Sequence, residues 1–137
     1  MLAKDTKVEL IAGVPLFADC SRRELRELAE TADEVVVPAD YTLTREGASG
    51  REFVIIVEGA AVVTRRGRKI NQLRSGDFLG EIALVSRGPR TATVKTTQPT
   101  HALVITASAF RALMRRMPSI QIKVLQALAE RLPSEFD

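Results

Sequence analysis

Between Gly76 and Val94 the chain reads GDFLGEIALVSRGPRTATV, and this stretch concentrates the residues able to do chemistry. A strand-like run is interrupted there by a short segment, Glu81 to Val85, that can form one helical turn. The start of a helical turn presents free backbone N–H groups and the positive end of the peptide dipoles, so it attracts an anion. Gly80, immediately before it, lets the backbone approach a ligand closely. Arg90, directly after Pro89, reaches across the loop and supplies a charge-assisted fork for a phosphate oxygen. Glu81 in the same stretch repels a multiply charged phosphate. Its presence makes sense for a ligand that bears one negative charge and also has a hydroxyl to donate. A cyclic phosphodiester on a ribose with a free 2′-OH meets both conditions. The plainer alternative is a surface ion pair between Arg90 and Glu81.

Composition removes most competing chemistries. The chain has 137 residues, 45% hydrophobic and 27% charged, which is the balance of one soluble globular domain rather than a disordered or fibrous chain. One histidine, His101, excludes a His-based metal site and most His-dependent hydrolase schemes, and it reads as a strand or loop residue. A small β-roll enzyme of cupin type fails for the same reason. Neither a metal site nor a catalytic residue is expected. One cysteine, Cys20, cannot form an internal disulfide and reads as a small buried or half-buried residue, in keeping with a reducing cytoplasm. A net charge of +3, no Trp and 4% aromatics argue against nucleic acid as a partner. No window approaches the length of a membrane span, and the first residues lack the apolar core of a signal peptide.

The elements that must hold the Gly76–Val94 stretch follow from periodicity. A helix is expected from Lys4 to Ala12, stopped by Gly13, followed by an apolar plug at Val14-Pro15-Leu16-Phe17. Ser21 and Glu24 form a capping box for a second helix to about Ala32, whose alternating charges (Arg22, Arg23 and Arg26 against Glu24, Glu27 and Glu30) read as a solvated face with pairs along the helix. From Glu34 the pattern changes to short strands: Glu34–Val37, Tyr41–Thr44, Phe53–Val57, Ala60–Thr64, a strand through Ile70 and Leu73, Thr91–Thr96 and Ala102–Ile105. Arg65-Arg66-Gly67-Arg68 is a hairpin tip, read as solvated rather than as a basic docking patch. Short strands with frequent turns indicate a mainly β, jelly-roll-like double-stranded roll of about eight strands. Helices return at Ala109–Arg116 and, started by Pro118, at Ser119–Leu132. The chain is thus read as a single domain: helices over 1–33, the roll over 34–106 and helices over 107–137.

At Gly80–Leu84 and Pro89–Ala92 the sequence resembles the phosphate-binding cassette of the cyclic nucleotide-binding domain family, Gly-Glu-(Ile/Leu)-Ala-Leu, a short gap, then Pro-Arg-(Ser/Thr/Ala)-Ala. That family includes bacterial catabolite activator proteins, regulatory subunits of cAMP-dependent protein kinase and cyclic-nucleotide-gated channels. Gly47, Gly59 and Gly76 fit its supporting glycines, and the resemblance runs from about Val14 to Leu132. It implies a β-roll with a short cassette helix and a C-terminal lid helix. It also implies a ligand, cAMP with cGMP as the alternative, and no separate cofactor. By resemblance Arg90 pairs with the equatorial phosphate oxygen. The backbone N–H groups of Ala83 and Ala92 hold the phosphate, Glu81 accepts the ribose 2′-OH, and Gly80 offers backbone to the ribose. Ile82 lies in the same contacting stretch. Thr91 sits where cGMP-selective members contact guanine but where bacterial cAMP binders also carry Ser or Thr. Arg131 corresponds to an Arg near the helix end in channel-type members and is a candidate for the base.

In the last helix Lys123, Gln126 and Glu130 share a narrow polar face, and apolar residues fill an arc wider than one packing surface on a roll requires. Part of that arc is expected to cap the base or to pair with a protein partner or a second copy. The function expected is a regulatory sensor, stand-alone or part of a larger protein, that turns nucleotide binding into movement of this helix. The competing reading is an interaction scaffold of the same fold without a ligand.

Overall fold

The computed structural model describes residues 1–48, 52–80 and 92–130. These residues form two compact units, one over Ala32–Ala107 and the other from Leu2–Thr31 together with the segment beginning at Ser108. The N- and C-terminal helices, placed at opposite ends of the sequence, therefore belong to the same unit.

The first unit is the expected roll. Its strands are β1 (Asp33–Val37), β2 (Thr42–Thr44), β3 (Glu52–Glu58), β4 (Ala60–Arg65), β5 (Arg68–Arg74), β6 (Phe78–Leu79), β7 (Thr93–Thr96) and β8 (Thr100–Thr106). They form two four-stranded sheets, in the orders β1-β8-β3-β6 and β2-β7-β4-β5, with antiparallel pairing throughout. The continuous apolar run Phe53–Ile56 is explained by the position of β3, which lies between β8 and β6 and is buried at all four residues. Ile56 of the first sheet packs with Ala61, Leu73 and Val94 of the second, with Leu43, Val63 and Leu79 around them. Burial of these aliphatic groups between the sheets is the main force closing the roll. Phe53 and Phe78 add a tilted ring contact at 6.0 Å. His101 is on β8, and its Nε2 lies 2.7 Å from Glu34 Oε2 on β1.

The second unit contains α1 (Lys4–Ala12), a 3₁₀ turn (Pro15–Phe17), α2 (Arg22–Thr31) and α4 (Pro118–Glu130); α3 (Ala107–Arg116) begins at the last residue of the roll. The apolar plug is buried at Val14, Leu16 and Phe17, and Phe17 meets Phe110 of α3 with ring centroids 5.9 Å apart. The capping box is formed: the Glu24 N–H donates to Ser21 Oγ at 3.2 Å, and the Ser21 N–H donates to Glu24 Oε1 at 2.7 Å.

The charges of α2 depart from a solvated face in two ways. Arg22 pairs with Asp5 and Glu9, and Glu30 with Lys4, so these ion pairs tie α2 to α1 instead of running along α2. Glu24 is only 3% exposed, and it accepts hydrogen bonds from Ser119 Oγ and Lys123 Nζ, both on α4. Lys123, expected on a polar face with Gln126 and Glu130, reaches Glu24 while its side chain stays 31% exposed. A buried carboxylate requires such partners, because a lone charge out of water is strongly disfavoured.

Burial raises the Glu24 carboxyl pKa, but the hydrogen bonds from Lys123, Ser119 and the Ser21 N–H outweigh it and hold the value down to about 2, from an ordinary 4.5. A carboxyl with a depressed folded-state pKa binds fewer protons folded than unfolded, so its contribution is complete above about pH 4.5 and is lost as pH falls toward 2. Thermal melts from pH 5.5 down to 2.5 are expected to show a steeper loss of stability in the wild type than in Glu24→Gln, which has no such group. Parallel pH profiles would remove Glu24 as a source of acid sensitivity. Next to it, burial and the Glu24 charge push the Cys20 thiol up to about 11, so this half-buried residue is a poor thiolate at neutral pH.

Candidate functional site

The cassette stretch runs from one sheet of the roll to the other. Gly80 follows β6, at the end of the first sheet, and Ala92 precedes β7, inside the second. Each end is held by its own set of bonds.

At the first end, β6 pairs with β3 through Val54 with Leu79 and Ile55 with Phe78. The turn that delivers β6 is built on Asp77. Its carbonyl accepts from the Ile56 N–H at 2.8 Å, its Oδ2 accepts from the Arg74 N–H at 2.8 Å, and its own N–H donates to the Arg74 carbonyl at 2.9 Å. The Gly76 N–H closes the turn onto the Ile56 carbonyl at 2.7 Å. The chain then leaves the sheet through Gly80 at φ 81°, a left-handed conformation that a side chain disfavours. At the second end, Thr44 Oγ1 donates to the Ala92 carbonyl at 3.1 Å, and the Glu46 N–H donates to Thr93 Oγ1 at 3.0 Å. β7 itself is paired on both sides, with β2 and with β4. The segment between Gly80 and Ala92 is thus anchored at both ends by strands with fixed partners, the support a ligand loop requires.

Of the residues expected at the site, Gly80 and Ala92 are placed at these two anchors, both half-buried. Glu81, Ile82, Ala83, Arg90 and Thr91 lie outside the described residues, as does Arg131. Thr44 and Thr93 hold the second anchor through bonds between residues far apart in sequence, and no local pattern marks them. Asp77 holds the first, in part through a local turn with Arg74. Among the described residues no group of three or more His, Cys, Asp or Glu is arranged to hold a metal ion. No helix among them is long and apolar enough to cross a membrane.

Residues 34–117, more than half of the chain, match the family profile described as the cyclic nucleotide-binding domain. The chain belongs to the cyclic nucleotide-binding domain family. Known relatives place the same module in different proteins. A cyclic nucleotide-gated potassium channel of Rhizobium etli is 32% identical over 123 residues, which is 90% of this chain and 34% of the channel. The N-terminal domain of a transcriptional regulator from Streptomyces coelicolor superposes with a TM-score of 0.83 at 25% identity, covering 89% of this chain and 91% of that domain. The regulatory domain of Toxoplasma gondii PKA, crystallised with cAMP, superposes with a TM-score of 0.74 over 93% of this chain and 50% of that one. At 22% identity it shares the fold. The chain spans about a third of the channel's length. As a cyclic nucleotide-binding domain, it carries the family's mainly antiparallel β-roll with flanking helices.

Proposed function

We propose that this domain is a cytoplasmic, non-enzymatic sensor of a cyclic nucleotide, with cAMP preferred over cGMP, and that it passes binding on through α4. The observation that carries this reading is the complete cassette pattern at Gly80–Ala92, strung between anchored strands of both sheets. In this reading Arg90 and the N–H groups of Ala83 and Ala92 hold the cyclic phosphate. Gly80 and Glu81 hold the ribose, and Thr91 and Arg131 face the base. Ile82 completes the stretch. The α4 part is supported by the helix itself: Ile120, Val124 and Ala127 are buried, while Ile122 and Leu125 are 57% and 58% exposed. A helix with apolar groups left over after docking has a second surface to offer, either in another docking or to a protein partner or second copy.

Titration calorimetry with cAMP, cGMP and 2′-deoxy-cAMP tests the reading. Binding of cAMP is expected, with cGMP weaker. Removing the 2′-hydroxyl leaves Glu81 a charged acceptor without its donor, so 2′-deoxy-cAMP is expected to bind about 10-fold or more weakly. Equal affinity for cAMP and its deoxy analogue would take Glu81 out of the ribose role. Heat from none of the three would make the domain a scaffold.

A further inference from the structure

The Glu24 carboxylate is buried, yet it lies outside the cassette. Oε1 accepts from the Ser21 N–H and from Lys123 Nζ, and Oε2 accepts from Ser119 Oγ. Ser119 and Lys123 stand one helical turn apart on α4, so one carboxylate grips the helix at two points. Two grips fix both the rotation of α4 and its position along its axis. Turning or sliding the helix would withdraw both donors together and leave Glu24 with its capping bond alone. A buried carboxylate in that condition is disfavoured, and so are intermediate positions of α4. The aliphatic contacts of Ile120, Val124 and Ala127 lack this directionality.

We infer that Glu24 is the positioning residue of the C-terminal helix: a polar latch, closed by Ser119 and Lys123, that holds α4 in one discrete docking. The consequence for signalling rests on the reading of α4 as the output of the nucleotide site. A nucleotide that shifts the helix must open the latch, and one that fixes the helix must close it, so in either direction the latch enters the nucleotide affinity.

The test is amide hydrogen exchange on the full chain without nucleotide, in the wild type, Glu24→Gln, Lys123→Met and Lys123→Arg. Glutamine is accepted at this position of a capping box, so Glu24→Gln keeps the start of α2 while removing the charge that holds Lys123 and one of the two acceptor oxygens that grip α4. Exchange over residues 119–127 is expected to accelerate about 10-fold or more in Glu24→Gln and Lys123→Met, with β3 and β8 unchanged. Lys123→Arg, which keeps the charge and the donors, is expected to restore wild-type protection. Unchanged protection of α4 in both Glu24→Gln and Lys123→Met would overturn the latch, as would loss of protection in Lys123→Arg equal to that in Lys123→Met. The same variants are then titrated with cAMP. A shift in Kd of about 5-fold or more is expected where the latch is broken. Faster exchange in α4 with an unchanged Kd would leave the latch in place and overturn the helix as output. Absence of cAMP binding in the wild type would fail the nucleotide reading, while the exchange experiment still decides the latch.

Discussion

Arg90→Ala is expected to weaken cAMP binding about 10- to 100-fold while leaving the fold intact. In the proposed site the cyclic phosphate carries one negative charge, and Arg90 is its one side-chain cation; the remaining donors are backbone N–H groups. A hydrogen bond to a charged group is worth roughly 1.5–3 kcal/mol net, and each ~1.4 kcal/mol is a factor of ten in Kd. Arg90→Lys is expected to fall between the two, since an ammonium keeps the charge but not the planar fork that matches two phosphate oxygens. Calorimetric Kd values decide the outcome, with thermal unfolding as the control that the roll is unchanged. An Arg90→Ala domain that binds cAMP as tightly as the wild type would end the phosphate assignment. It would favour the plainer reading of Arg90 as a surface ion-pair partner.

The roll was legible because its signals are local. Short β-branched runs separated by Gly and Asp turns name strands, and seven of them fall where periodicity places them, as do α1 and the plug at Val14–Phe17. The cassette motif stands out in the sequence for another reason: it is a contiguous string of residue types, so resemblance finds it without any knowledge of the fold. Glu24 was misread because its role is not local. Its position beside Arg22, Arg23 and Arg26 is that of a solvated helix face, and the capping box accounts for it completely. Only the return of α4, 95 residues later in the chain at Ser119, buries it. The supports at Thr44 and Thr93 escaped notice for the same reason: the bonds that fix Ala92 and Thr93 come from residues 48 and 47 positions earlier. Sequence pattern identifies which residues could meet a ligand. It does not identify what holds them in place, since that information lies in long-range pairs with no spacing rule.

Gly59→Ala is expected to destabilise the roll strongly by adding a single methyl group. Gly59 joins β3 of one sheet to β4 of the other at φ 126°, where L side chains are rarely found. A Cβ there would lie 2.5 Å from Thr100 Oγ1, 2.8 Å from Thr100 Cα and 2.9 Å from Thr100 Cβ. Thr100 cannot yield: it is 1% exposed, pairs with Val37 across β1 and β8, and hydrogen-bonds the Gln98 carbonyl at 2.9 Å. Strained backbone and overpacking each cost roughly 1–3 kcal/mol, so the loss is about 2–6 kcal/mol, against the ~5–15 kcal/mol total of an ordinary domain. For a chain of this length the melting temperature is expected to fall by roughly 10 °C or more. Thr100→Ala in the same chain is expected to recover only part of it, because the contact with the Thr100 Cα and the positive φ remain. The effect also reaches the site. β3 holds β6, which leads into Gly80, and β4 holds β7, which Ala92 precedes, so the corner at Gly59 sets the two strands that anchor the cassette. Circular dichroism melts and a cAMP titration below the melting temperature measure both consequences. A Gly59→Ala domain that melts within a degree or two of the wild type would show that the corner relaxes around a methyl group, and the anchoring of the cassette would then not depend on this glycine.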